Sequence, residues 1–184
     1  MGFHTFPLER AGALNDPSRY RFCSREELLE LLDPAPVDHA LDIGSGTGFF
    51  AAEVAPFVGT LSCLDLQPGM HRAYRRKGTP ANVHLVTGVV SALPFHDDVF
   101  DRAFSVDTHH EYYSPAAMEE LARTIRPGGG LVTVDWSADG TGDDGPPLAE
   151  RYGPGEIVAQ LELAGFDVVE RRERPETVAI DARR

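Results

Sequence analysis

The stretch Ala40 to Phe50, read ALDIGSGTGFF, limits what this chain can fold into more than any other. Ala40-Leu41-Asp42-Ile43 suits a buried strand, Gly44-Ser45-Gly46-Thr47-Gly48 is a loop with glycine at every second position, and a helix is expected from Phe49. Glycine at that density lets backbone N–H groups approach a ligand with no Cβ in the way and permits positive φ where the chain turns. A strand, glycine loop and helix in this order open a nucleotide-type cofactor site. The spacing narrows the cofactor. A dinucleotide loop reads GxGxxG, but Phe49 stands where its third glycine would, and the glycines fall as GxGxG. Asp42, ahead of the loop, would repel a pyrophosphate and suits a ligand carrying an ammonium group.

S-adenosylmethionine is such a ligand, and DIGSGTG resembles the glycine motif of the class I S-adenosylmethionine-dependent methyltransferases. The next expected strand, Thr60 to Leu66, carries Asp65 nineteen residues beyond Gly46, near the offset at which an acid meets ribose hydroxyls in βαβ cofactor domains. Pro68 opens a helix that Gly78 breaks, and Asn82 to Thr87 reads as a third strand. ALPF, an acidic turn and FD entering a strand resemble the ubiquinone and menaquinone biosynthesis branch of the same family, as does RPGGGLVTVDW further on. In that branch the residue after the glycine is an aspartate that accepts from the adenine amino group; here it is Val89. Adenine recognition would then lean on backbone near Val90 and Ser91 and on apolar packing from Leu66 and Leu93.

The resemblance implies a Rossmann-like α/β fold: a seven-stranded, mostly parallel sheet with helices on both faces and an antiparallel strand near the C-terminus. Residues 37–184 form the methyltransferase domain, and residues 1–36 form an N-terminal helical segment that lids the site. Arg102 to Val106 and Leu131 to Trp136 are the fourth and fifth strands, with Arg126-Pro127-Gly128-Gly129 stopping the helix between them. GFDVVERRER and ETVAIDARR pair antiparallel at the end, and ADGTGDDGPP forms a flap beside the substrate pocket. In the N-terminal segment, Asp16-Pro17 starts one helix and Ser24 caps a second, REELLELL. The implied cofactor contacts are Asp42, Gly44, Ser45, Gly46, Gly48, Asp65, Leu66, Val89, Val90 and Ser105.

Methyl transfer from a sulfonium needs a positioned nucleophile and a dry pocket, and a base only when the acceptor must lose a proton. His109 and His110 are the candidates for that base, since a near-neutral pKa suits proton removal. In extended chain only one of two neighbours faces a pocket. His4, Phe6, Tyr112, Tyr113 and Trp136 are candidate acceptor-site walls. No metal is implied, because contiguous ligands at His109, His110 and Glu111 would need a distorted turn. NPPY and DPPY are absent where VDTHH stands, which argues against adenine methylation of nucleic acid, and two cysteines are too few for arsenite chemistry. A small organic molecule is the expected acceptor. A cofactor-binding domain without catalysis, which Val89 favours, and a nucleotide-dependent dehydrogenase, which GxGxG and Asp42 disfavour, are the alternatives.

The net charge of -12 argues against routine nucleic-acid binding, which demands a basic face. Cys23 and Cys63 supply no zinc pair or disulfide framework, no apolar run reaches membrane-helix length, and Met1 to Arg21 lacks the apolar core of a signal peptide. A cytoplasmic location is expected. Among 17 basic residues only Lys77 is lysine, and an acidic, arginine-for-lysine surface suits the molar salt of an extreme halophile's cytosol, where screening removes self-repulsion. Helical circular dichroism is therefore expected to weaken when salt is dialysed away; full stability in dilute buffer would contradict it.

Overall fold

The computed structural model describes residues 5–184. Its central strands are buried along most of their length, as expected where helices cover both faces of a sheet, while the last edge strand is charged and exposed. β1 (His39–Ile43), β2 (Thr60–Asp65), β3 (Val83–Thr87), β4 (Phe100–Val106) and β5 (Ile125–Trp136) run parallel, while β7 (Thr177–Arg183) lies antiparallel between β5 and β6 (Asp167–Glu173). The order is β3-β2-β1-β4-β5-β7-β6, so the chain reverses its direction of travel across the sheet between β1 and β4. The loops leaving those two strands diverge there, and open α/β sheets place ligands at such a point.

The two-residue period of the strands sorts side chains into two cores. Ala40, Cys63, Phe104, Val132 and Val134 pack with Leu28, Leu31 and Leu32 of α1 (Arg25–Leu32), with α2 (Phe49–Val54) and with Tyr74 of α3 (Pro68–Lys77). Their neighbours Leu41, Ile43, Ala103, Leu131 and Ile180 pack with Met118 and Leu121 of α5 (Pro115–Thr124) and with Ile157 and Leu161 of α6 (Pro154–Leu163). A short helix, α4 (His109–Tyr112), follows β4. Both thiols are buried; burial pushes Cys23 up to about 12, which leaves it unreactive.

Local chemistry sets the element ends. Ser24 Oγ accepts from Glu27 N at 3.1 Å and caps α1, and Asp16 Oδ1 accepts from Ser18 N at 2.8 Å to start a 3₁₀ turn, Pro17–Arg21. A longer 3₁₀ segment, Leu8–Asn15, precedes it. β5 departs from expectation: it begins at Ile125, paired with Phe100, and a register shift absorbs Arg126 to Gly129 before pairing resumes at Gly130 and Arg102. Arg126 is tied to Asp101 at 2.8 Å and Gly128 N to Arg184 O at 2.6 Å, so this stretch is stitched to the neighbouring strand and the chain's last residue instead of turning freely.

Gly48 holds the glycine loop to the helix layer. It caps α2 at φ 76°, and a Cβ there would sit 2.1 Å from the Tyr74 ring. Left-handed strain and overpacking then add, so Gly48→Ala is expected to destabilise the fold by roughly 2–4 kcal/mol. Denaturant unfolding with an unchanged midpoint would contradict this packing.

Candidate functional site

A cavity of about 690 Å³ opens over the carboxyl ends of β1, β2 and β4. Asp42 and the glycine loop form its floor. Gly44 N and Ser45 N both donate to Leu64 O at 2.9 Å, which ties the loop to the end of β2. Gly44 takes φ 71°, and a Cβ there would meet the Thr108 side chain at 2.7 Å, so the loops after β1 and β4 touch only because this residue is glycine. Thr108 Oγ1 donates to Ile43 O at 3.0 Å and fixes that contact.

Asp65 stands beside the loop. Its Oδ2 accepts from Gly46 N at 2.8 Å and its Oδ1 from Gln67 N at 2.7 Å, which orients both oxygens and leaves each a further lone pair for a ligand. Burial raises its pKa, and the two backbone bonds oppose that rise. Asp42 is more exposed to electrostatic conflict. It is 4% exposed, accepts no hydrogen bond from the described residues, and borders the cavity. Burial, and then the charge of Asp65, push its pKa well up, with Arg19 opposing. A buried carboxyl with no partner and one opening asks for a cationic ligand, and Ser45 Oγ is a second buried polar atom there without a partner. These residues fit the ammonium and ribose ends of the cofactor that the sequence resemblance implies.

The N-terminal segment closes over this floor. Gln67 Nε2 donates to Phe6 O at 2.9 Å, Thr47 Oγ1 to Asn15 Oδ1 at 2.9 Å, and Leu14 lies over Gly46. Arg19 pairs with Asp107 at 2.9 Å and stacks on Phe49 and Phe50, 5.2 and 4.9 Å from the ring centroids. Asp107 follows β4 at φ 61°, a conformation an aspartate tolerates at a cost, and its Oδ1 is buried without a partner.

The same cavity is also lined by His110, Glu111, Tyr112, Trp136 and Pro146. Asp135, wholly buried on β5, accepts from His110 N at 2.7 Å and lies 2.8 Å from His110 Nδ1. Burial alone would lower the His110 pKa; the Asp135 carboxylate outweighs it and the net shift is upward. Nε2 accepts no bond from the described residues. The imidazole is thus oriented at one nitrogen and free at the other. Glu111, raised by burial to about 7, titrates beside it.

Several expected residues stand elsewhere. His109 is not at the cavity: α4 advances its residues around a helix instead of alternating them, and the His109 ring lies in the core, 2.8 Å from Gln160 Oε1 and 3.3 Å from Tyr112 Oη. Burial lowers its pKa, so it stays neutral, and it is withdrawn as a base. Gly48 packs on Tyr74, and Ser105 is wholly buried with its Oγ 3.1 Å from Thr108 Oγ1; neither borders the cavity. Tyr113 stacks on His109, Ser91 and Leu93 lie off the wall, and His4 lies outside the described residues. Leu66, Val89 and Val90 do border the cavity, as do Asp42, Gly44, Ser45, Gly46 and Asp65. Arg19, Asp107, Thr108 and Asp135 are site residues that sequence reasoning missed. Asp135 carried one signal, an acid inside an otherwise apolar strand.

Residues 41–133, half of the chain, match the family described as a methyltransferase domain, and the protein belongs to that family. A SAM dependent methyltransferase from Aquifex aeolicus has the same fold at 27% identity with a TM-score of 0.89, covering 97% of this chain and 98% of that one. An O-methyltransferase of Penicillium expansum is 32% identical across 76% of this chain and 55% of its own length. A demethylmenaquinone methyltransferase of Corynebacterium kroppenstedtii is 33% identical across 61% of this chain and 48% of its own. The chain spans about half the length of these curated relatives.

The unpartnered Asp42 also sets a pH dependence. Its pKa is raised on folding, so its destabilising effect is absent below the ordinary value of 3.8 and grows as pH rises toward the folded value. At neutral pH, Asp42→Asn is expected to stabilise the free protein by about 1–3 kcal/mol. A melting temperature lower than wild type at pH 7 would contradict the assignment.

Proposed function

We propose that this chain binds S-adenosylmethionine and transfers its methyl group to the oxygen of a small hydroxylated acceptor, with His110 as the base. S-adenosylmethionine is the cofactor: it supplies the methyl group as a sulfonium substituent and departs as a neutral thioether. Asp42 holds the ammonium, Asp65 the ribose hydroxyls, and Leu66, Val89 and Val90 the adenine by apolar contact. Arg19, beside Asp42 on the cavity wall, is the cation for the amino-acid carboxylate, exchanging Asp107 for it. The N-terminal 3₁₀ segments act as the lid, excluding water from the reacting groups.

The His110–Asp135 pair carries the reading of the acceptor. Nε2 takes the hydroxyl proton as the oxygen attacks the methyl carbon, and Asp135 stabilises the imidazolium that forms. An amine free base or a thiolate would need no such pair. The name of the Penicillium relative, an O-methyltransferase, agrees with oxygen as the nucleophile. A cofactor-binding domain without catalysis is the second reading, favoured by Val89 on the adenine wall, where the resemblance places an acceptor side chain. The pocket's size and the net charge of -12 favour a small molecule over nucleic acid.

Calorimetry in high salt with S-adenosylmethionine, S-adenosylhomocysteine and NAD tests the cofactor; binding of NAD alone would sink the proposal. Turnover on a panel of phenols and hydroxyquinones tests the chemistry. Its rate is expected to rise with pH through an acid limb above the ordinary histidine value of 6.5, because only neutral His110 accepts a proton. Asp135→Asn moves that limb to lower pH, and His110→Ala lowers kcat by about 10²–10⁴. Glu111→Gln separates the two groups. A limb that follows Glu111 and ignores Asp135 would remove His110 from the role.

A further inference from the structure

The loop from Asp139 to Pro147 is rich in glycine and acid and offers almost no apolar anchor of its own, yet its path is held from behind. The Arg151 side chain is wholly buried, and all three guanidinium nitrogens are engaged. Nε donates to Pro146 O at 2.8 Å, Nη1 to Ser137 O at 3.3 Å and to Glu176 Oε2 at 2.9 Å, and Nη2 to the Asp144 carbonyl. Glu176, on the far side, accepts from the Thr141 hydroxyl and from the Gly142 and Asp143 amides, both at 3.3 Å. One ion pair therefore ties both limbs of the loop to the end of β5 and to the residue before β7.

On its front the loop meets Trp136. Gly145 takes φ 81°, and a Cβ there would come 2.4 Å from the indole, so loop and ring are in direct contact. The Arg151 guanidinium lies 5.4 Å from the same ring's centroid, and Phe22 meets it edge-on at 4.6 Å. Trp136, Gly145, Pro146 and Pro147 line the same cavity as His110, while Arg151 and Glu176 do not reach it. Burying an arginine and a glutamate adds little net stability compared with apolar residues of similar size. What this pair does supply is direction: hydrogen bonds that allow the backbone one path.

We propose that the Arg151–Glu176 pair is a positioning element for the methyl acceptor, holding Gly145 to Pro147 against Trp136 so that the acceptor end of the cavity has its shape before the acceptor enters. The proposal rests on the reading above that the His110 end receives the acceptor. A wall set in advance spares the acceptor the cost of ordering it, so the pair acts on acceptor affinity and leaves the cofactor end alone.

Trp136 is the chain's single tryptophan, so its fluorescence reports on this wall. Acrylamide quenching and limited proteolysis with proteinase K are compared in wild type, Arg151→Met, Arg151→Lys and the milder Glu176→Gln, alongside calorimetry with S-adenosylhomocysteine. Arg151→Met is expected to raise the quenching constant at least threefold and loop cleavage at least tenfold. Glu176→Gln moves both in the same direction, Arg151→Lys recovers part of the loss, and the Kd for S-adenosylhomocysteine stays within twofold. On a hydroxylated aromatic acceptor, KM rises at least tenfold while kcat stays within threefold. Unchanged quenching in Glu176→Gln would overturn the proposal even if Arg151→Met fails to fold. So would cofactor affinity that falls in step with loop protection, or a loss in kcat with KM unmoved. Wild type that turns over no acceptor counts against the functional reading instead, and quenching and cleavage still decide whether the pair holds the loop.

Discussion

A carboxyl group buried at the end of the central strand without a hydrogen-bond partner is the constraint on which the rest depends. Asp42 sits where the strand order reverses, between a loop that leaves β1 and another that leaves β4. No neighbouring group among the described residues neutralises it at hydrogen-bond distance, and Asp65 nearby makes matters worse. The free protein carries this electrostatic cost, and in the proposed function the ammonium of the cofactor offsets it, so that stability given up at one residue would return as binding. The glycine loop follows from the same need. Gly44 lets the β4 loop close in at Thr108, and Gly46 directs its N–H to Asp65, which turns a lone acid into an oriented one.

Two groups of side chains line the cavity, one of charged residues and one built around an imidazole and an aromatic wall. In the first, Asp65 is held by two backbone amides and Arg19 by its ion pair with Asp107, while Asp42 has no hydrogen-bond partner among the described residues. In the second, His110 has one nitrogen committed to Asp135 and the other free, and Trp136 and the proline loop set the walls. The two groups share one support, the β4–β5 pair, which carries Asp107 and α4 after one strand and Asp135 and Trp136 at the end of the other. A small shift between these strands would therefore disturb the Arg19–Asp107 and His110–Asp135 contacts together.

The fold was largely legible because period-two alternation, Gly and Pro breaks and capping residues are local signals. β1 to β4 and the antiparallel C-terminal pair stand where those signals put them. The cavity floor was legible for the same reason, since Asp42, Gly44, Gly46 and Asp65, which border it, lie in or near one motif. What escaped was long-range. Arg19 meets Asp107 across 88 residues, and Asp135 meets His110 across 25, and nothing in either segment announces its partner. Only one of His109 and His110 faces the cavity, as the sequence suggests, but through one helical turn in place of extended chain, and that turn sends His109 into the core. Gly48 and Ser105 were near the right place on the wrong side, Gly48 because its φ turns it toward Tyr74 and Ser105 because its side chain faces Thr108 from within the sheet.

A crystal structure with S-adenosylhomocysteine bound, grown in high salt, tests the central claim most directly. The account predicts the ligand's ammonium against Asp42, its ribose hydroxyls against Asp65, and the thioether sulfur turned toward the His110 end of the cavity. A ligand seated elsewhere, or one that leaves Asp42 unpartnered, would contradict it.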